Sequence, residues 1–594
     1  MRSIRYLVAL SLLIAAPRAA FAADPKGDWL GTVEYNASTR LRVAVHIEAG
    51  ENGRLKGSLE SLDQGSFMVV LTNIASTGDN LSFAAPVVGG RYEGKWDEGQ
   101  KAWIGRWSQG GSSPPLVLKA GTAPPPPPPP SRPPPSPPVP GARDINVTND
   151  VRYRWGELGI AVNPRNPNNI VIATQGLGLT QACLATSPDC RMVPAELTPG
   201  ILFREPSGRF SRPDFDIITA FTSFDRGRTW KRVNVPTTPR GFPTIRSAGD
   251  PHITAGMDGT FYFSFDAMNW GTAERPLPNA GVAVSKSIDG GRTWSIPVLT
   301  GTSMDGPKIT ADLITGTIYE ASSGPIGPKA TGDPNTPEGK VVDRWLVSST
   351  EGVSWTRPQP MGGTGFSMSA AHGILATAFK TSATSSIVSA ANDALCGSAP
   401  KPCTIFQTTT DAGASWSRHV IPVPADFVAD PTVPMVAADP SRKGHFALAV
   451  PMKARGGYLV YRTNDAGATW SGPASVTEDA GKAHFLPWMA YSRQGVLAIM
   501  WRTRQTAAGS PASAPSPYNV WAAISRDGGT TFSVPLKVSS ADSPPSETSG
   551  GGDDYSALSV EGNHVYVGWA DWRSKERDNY FRAIHLDEFT PARK

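Results

Sequence analysis

The chain has 594 residues; its 60 Gly and 56 Pro together make about a fifth of it, and only 18% of residues are charged. That balance excludes a helical bundle or a coiled coil, which need periodic runs of Ala, Glu, Lys and Leu. The 17 Trp, 21 Phe and 13 Tyr exclude a chain disordered throughout. Aromatics, β-branched residues and frequent turn formers predict an all-β protein of many short strands. The formal charge is +5, and three of the cations (Arg2, Arg5, Arg18) fall in the first 22 residues, which leaves +2 without them. A near-neutral chain gives no reason to expect a nucleic-acid or membrane-surface partner.

Residues 1–22 read as a secretory signal: a basic start, an apolar stretch from Tyr6 to Ala16, and Ala20-Phe21-Ala22 as a small-x-small cleavage site. The apolar run is too short to span a bilayer, and no later stretch is apolar enough to do so. The expectation is a secreted or periplasmic protein without a membrane span.

Residues 23–120 form the first module. Leu41-Arg42-Val43-Ala44-Val45-His46-Ile47 alternates with period two, and turn signals such as Glu51-Asn52-Gly53 separate such runs. About eight short strands predict a small antiparallel barrel-like domain. Gly27-Asp28-Trp29-Leu30-Gly31, Ser61-Leu62-Asp63-Gln64-Gly65, Tyr92-Glu93-Gly94 and Trp107-Ser108-Gln109-Gly110-Gly111 resemble a small β module found ahead of secreted bacterial hydrolases. Asp63, Gln64 and Gln109 are candidates for ligand contact, with turn residues as the favoured reading. Residues 121–143 are a Pro-rich linker, a semi-rigid polyproline II spacer.

Residues 144–594 are repetitive. Ser223-Phe224-Asp225-Arg226-Gly227-Arg228-Thr229-Trp230 sets the unit, which recurs at 287–294, 409–416, 463–470 and 525–532. A degenerate copy runs over 349–355, with Glu351 near the Asp position. The acidic positions 225, 289, 351, 411, 465 and 527 lie 64, 62, 60, 54 and 62 residues apart. This unit resembles the Asp box of sialidase-type β-propellers. The resemblance implies four-stranded blades, with each box joining strands three and four. Physically, the Asp carboxylate caps backbone N–H groups, Gly supplies a positive φ, and Trp fills the space between sheets. The boxes are therefore structural.

Inner strands are expected to start near Glu157, Asp250, Asp305, Ser369, Asp430, Leu486 and Tyr555, seven starts for six boxes. After the last start only three strands remain, and Ile145-Asn146-Val147-Thr148 can supply the fourth and close the ring. Seven blades are predicted, with six, the sialidase number, as the alternative. The four cysteines favour the pairs Cys183–Cys190 and Cys396–Cys403 by their spacing; zinc is the competing use, but no His stands at ligand spacing.

The long insertions at 176–213, 323–341, 382–403 and 505–517 all follow second strands, so they share one face with the starts of the inner strands. Binding is expected there. Arg154, Glu157, Asp250, His252, Asp305, Lys308, Asp430, Asp554 and Tyr555 start inner strands. Asp266, Glu320, Arg455, Arg502, Arg504, Asp571 and Arg573 end second strands. Carboxylates, cations and Trp155, Trp488, Trp501 and Trp572 suit a sugar. For each carboxylate the competing reading is a turn cap, as in Asp250-Pro251 and Asp430-Pro431.

By resemblance to sialidases, Tyr555-Ser556-Ala557-Leu558 is similar to the segment around the Tyr nucleophile. Asp214 would be the acid/base, with Arg204 or Arg209 nearby, and Asp430 would stand in for the Glu that activates the Tyr. Tyr153-Arg154 stands where an Arg-Ile-Pro motif would start, but Trp155-Gly156 replaces Ile-Pro. Substrate-binding positions are Arg154, Glu157, Asp250, Asp305, Lys308, Arg455, Arg502, Asp554 and Arg573.

The expected activity is a retaining, exo-α-sialidase-type hydrolysis of acidic glycans by a monomer, with a glycan or glycoconjugate as partner. The alternatives are a non-catalytic glycan- or protein-binding propeller and a polysaccharide lyase using His252 or His372 with Tyr555. No cofactor is expected; Asp250, Asp305, Asp430 and Asp554 offer oxygen ligands of the kind Ca²⁺ takes as the alternative.

Overall fold

The computed structural model describes residues 23–123 and 143–591, apart from 35–39, 51–52, 63–66, 86–89, 110–111, 150–152, 180–200, 205–209, 212–216, 243–244, 246, 269–279, 303–305, 324–343, 362–366, 382–393, 400–402, 422–433, 453–455, 480, 508–515, 545–554 and 575–576. It is all-β and divides into two compact units.

In the first unit, eight antiparallel strands run from Gly27–Glu34 to Pro115–Ala120 and close into a barrel. The alternation read at 41–47 has its physical counterpart: Val43, Val45 and Ile47 are buried with Trp29, Phe83, Tyr92, Trp103 and Trp107. Closure pairs only residues 72–77 of the Phe67–Thr77 strand with the Asn80–Ala85 strand. Its first residues therefore present a spare edge, and the hairpin of Ile201–Arg204 and Phe210–Ser211 pairs there, at residues 67–69. This hairpin belongs to the 176–213 insertion, all of which the sequence assigned to the ring's binding face. Gln109 accepts the Trp107 indole N–H at 2.9 Å and bridges to Ser112, so it shapes a turn. Asp63 and Gln64 lie outside the described residues.

The second unit contains seven four-stranded sheets, the blades of a propeller. Their inner strands are Tyr153–Val162, Ser247–Ala255, Lys308–Ala311, Ser367–Ala371, Met435–Ala438, Lys482–Tyr491 and Ser556–Glu561, numbered blades 1 to 7. Blade 7 takes its fourth strand, Ile145–Asn146, from the start of the unit, pairing Tyr580 with Asn146 and Phe581 with Ile145. The seven-blade count and the closing segment agree with the sequence.

The boxes explain the joints between blades. In the first, the Ser223 hydroxyl accepts the Gly227 N–H at 2.8 Å, and the Asp225 carboxylate accepts the Thr229 N–H and hydroxyl at 2.9 and 2.6 Å. The same set recurs at Asp289, Asp411, Asp465 and Asp527. At the degenerate copy, the Ser349 hydroxyl accepts the Gly352 N–H at 2.8 Å and the Glu351 N–H at 3.2 Å.

Each box also presses on the blade before it. A Cβ at Gly227 would meet Phe581 of blade 7; at Gly291, Val171 of blade 1; at Gly352, Tyr262 of blade 2; at Gly467, Phe406 of blade 4. The box tryptophans follow: Trp230 lies edge-on to Phe581 at 5.0 Å, and Trp470 to Phe406 at 4.8 Å.

These turns make the ring acid-sensitive. The Ser415 hydroxyl and N–H hold the Asp411 carboxyl down at about 2, and Thr469 does the same for Asp465. At Asp225, Asp289 and Asp527 burial opposes the same hydrogen bonds and is outweighed, so these carboxyls too are lowered. A carboxyl lowered in the folded state stabilises above its unfolded value, and that stability is lost as pH falls through the folded value. The Tm measured by calorimetry is expected to hold above about pH 4 and to drop steeply between about 4 and 2. A Tm flat across that window would contradict the role given to the box carboxylates.

Cys396 and Cys403 form a disulfide with Cα atoms 5.8 Å apart. Cys183 and Cys190 lie outside the described residues. Among the described residues no helix is long and apolar enough to cross a membrane.

Candidate functional site

All seven inner strands line a central channel of about 200 Å³. The wall is stitched from blade to blade. Thr254 Oγ1 accepts the Ala311 N–H at 3.2 Å; Ser367 and Ser369 accept the N–H groups of Val436 and Ala438 at 2.7 and 3.0 Å. Residues 254 and 311, and likewise 369 and 438, therefore sit level with one another.

The end where these strands start is irregular in three blades. Register shifts fall at Gly156/Leu158, Gly249/His252 and Phe485/Trp488. The displaced residues Glu157, Asp250 and Leu486 have φ of 30°, 50° and 47°. Bulges with non-Gly residues at positive φ cost energy and re-aim side chains, and they gather at functional sites. Two of the three share a pattern, Asp250-Pro251-His252 and Leu486-Pro487-Trp488. They bring the His252 and Trp488 rings to 5.6 Å from each other, although blades 7 and 1 stand between them. Gly159 of blade 1 packs close to the strand that carries His252: a Cβ there would lie 3.2 Å from the Ile253 nitrogen and 3.6 Å from the His252 Cα.

Around this ring pair the polar residues connect. The Asp250 N–H donates to Gln175 Oε1 at 2.9 Å, and Asp250 Oδ2 accepts the Gly306 N–H at 2.9 Å. A Cβ at Gly306 would sit 3.8 Å from the Tyr555 hydroxyl. Lys308 Nζ stands 3.7 Å above the centre of the Tyr555 ring, in cation–π geometry. The structure thus brings together Asp250, Lys308 and Tyr555, with His252 and Trp488 beside them. Burial, and then the Lys308 charge, push the His252 pKa down to about 3.

Other residues from the sequence reading have different positions. Arg502 is fully buried; it donates to the Tyr555 carbonyl at 2.9 Å and Ser556 Oγ at 3.0 Å, so it fixes the start of blade 7's inner strand. Arg573 pairs with Asp144 at 2.9 Å and Asp571 at 2.7 Å and lies over Tyr580. This ties ring closure together, because Asp144 precedes the strand that completes blade 7. Glu157 is buried at its bulge, and Arg154 is half-buried in the same strand. Asp214, Asp305, Asp430, Arg455 and Asp554 lie outside the described residues, as does Arg209. Among the described residues no group of three His, Cys, Asp or Glu is placed to hold a metal ion. Gln175 and Gly306 join the site without having been singled out, since only the fold brings them to Asp250. At the other end of the channel Arg493 binds Glu561 at 2.6 Å and the Pro164 carbonyl at 2.7 Å, strapping blades 6, 7 and 1.

No family model matches the chain, and no curated protein sequence matches it. Solved structures do. It is similar to a protein of unknown function from Dyadobacter fermentans, at 11% identity over 65% of this chain and 99% of that one, with a TM-score of 0.38. It is similar to a variant of the NanB sialidase from Streptococcus pneumoniae, at 11% identity over 96% and 94%, with a TM-score of 0.35. It is also similar to an α-L-arabinanase from Penicillium chrysogenum, at 16% identity over 59% and 96%, with a TM-score of 0.33.

Proposed function

We propose that the chain is an exported glycoside hydrolase that acts on acidic glycans at the strand-start end of the propeller channel. The observation that carries this reading is Tyr555 beneath the Lys308 ammonium, next to the Asp250–Gly306 bond. A tyrosine is a recognised nucleophile in glycosidases, and nearby positive charge is one way a nucleophile is activated. In the proposed reaction Asp430 takes the Tyr555 phenol proton as the Tyr555 oxygen bonds to the anomeric carbon and the glycosidic C–O bond breaks, and it returns that proton when Tyr555 is released. Asp214 gives its proton to the leaving oxygen. Water, deprotonated by Asp214, then releases the sugar with retention. Arg502 donates to the Tyr555 carbonyl and so acts as a positioning residue. Asp430, Asp305, Asp554, Arg154 and Arg455 complete the proposed set from the sequence reading.

The test is turnover of aryl sialosides and aryl glucuronides, with arabinan as a neutral comparison. Tyr555→Phe is expected to lower kcat by on the order of 10³-fold or more. Full activity in that variant sinks the mechanism. A second reading, glycan binding without turnover, is favoured by one feature: an ammonium, Lys308 Nζ, lies over the Tyr555 ring at 3.7 Å. Retention on an acidic-glycan array with no product by mass would select it.

A further inference from the structure

We propose that His252 is a ligand-binding residue of this site, donating a hydrogen bond from Nε2–H to a sugar oxygen that rests against the His252–Trp488 ring pair. The identity of the ligand rests on the acidic-glycan reading; the state of the ring does not.

In blade 4 the equivalent position is a serine. Ser367 of blade 4 uses its hydroxyl to accept the Val436 N–H at 2.7 Å, and Ser369 repeats the stitch two residues on. His252 and Thr254 of blade 2 form the same pair, with the Ile309 N–H on His252 Nδ1 at 3.4 Å and the Ala311 N–H on Thr254 at 3.2 Å. A serine therefore suffices for the joint and makes it shorter. Histidine keeps the joint and adds a second nitrogen. Among the described residues that nitrogen, Nε2, has no hydrogen-bond partner although it is buried.

The joint also fixes the tautomer. Because Nδ1 accepts a backbone N–H, the proton of the neutral ring sits on Nε2. Among the described residues the charged and titratable groups around it include Asp250 on its own strand, Lys308 on blade 3 and Tyr555 on blade 7. The Lys308 charge and burial keep the ring neutral. His252 is thereby unsuited to proton transfer at neutral pH and suited to be a constant donor. A buried donor without a partner favours a ligand that supplies an acceptor.

The experiment uses the full chain carrying ¹⁵N-labelled histidine, of which there are eight, with His252→Gln assigning the signal. Long-range ¹H–¹⁵N spectra should show Nε2 protonated and Nδ1 bare, unchanged from pH 5 to 8. Titration in that range, or a proton on Nδ1, overturns the proposal. Calorimetry with N-acetylneuraminic acid and glucuronic acid then reads the hydrogen bond. His252→Ser, which preserves the stitch as Ser367 does, should melt close to wild type. It should lose about tenfold in affinity for the acid that binds, while His252→Gln stays within about threefold. Equal affinity of wild type and His252→Ser overturns the proposal and leaves the glycan reading standing. Binding of neither acid by the wild type removes the glycan reading and this ligand assignment with it.

Discussion

Replacing Gly227 with alanine should cost the propeller about 3 kcal/mol, one of the largest losses open to a single methyl group here. Two effects add. Gly227 has φ of 82°, a conformation that a Cβ penalises by about 1–2 kcal/mol. The new methyl would also lie 2.1 Å from the Phe581 ring of blade 7. That ring is itself buried and held edge-on by Trp230 at 5.0 Å, so it has no empty space to move into. Gly316→Ala separates the two effects. Its φ is 78°, but nothing lies within 4 Å of the Cβ position. It should lose only the backbone part, about 1 kcal/mol. Calorimetric unfolding decides. Equal losses in the two variants would mean that the box glycines do not set the spacing between blades.

Asp578→Ala should be as damaging, by opening the ring where it closes. The Asp578 carboxylate accepts from Asn146 Nδ2 at 2.9 Å, Thr148 Oγ1 at 3.0 Å and Ser574 Oγ at 2.7 Å. Two of these donors belong to the segment that completes blade 7. Hydrogen bonds to a buried charge contribute about 1.5–3 kcal/mol each, so a loss of about 4 kcal/mol is expected after water recovers part of it. The loss should be local first. Hydrogen exchange at 145–148 and at Tyr580 and Phe581 should rise well before exchange in blades 3 to 5. Unchanged protection at 145–148 would show that the two-strand pairing closes the ring without Asp578.

The parts of the fold that depend on local chemistry were legible in the sequence. A Ser/Thr, an Asp and a Gly at fixed offsets make the same turn wherever they occur, so five such copies and a degenerate sixth gave the blade spacing. The shortage of one strand after Tyr555 pointed to 145–148. The site was legible only as a face. Position at a strand start or end places Arg502, Arg573 and Lys308 on that face, but it does not say which way each side chain turns. Lys308 turns to Tyr555; Arg502 and Arg573 turn into buried seams. The bulges were hidden for a related reason. Asp250-Pro251 and Leu486-Pro487 signal a break, yet the meeting of His252 with Trp488 depends on how blades 1 and 7 hold blades 2 and 6.

That meeting of two rings across the channel restricts how any polymer can be handled. In the proposed hydrolase a strand of sugars would not thread the propeller as a cord through a bead, since the two rings meet across the bore and Arg493 ties blades 6, 7 and 1 at its far rim. The proposed substrate would then be the tip of a glycan or a short side branch, taken one unit at a time.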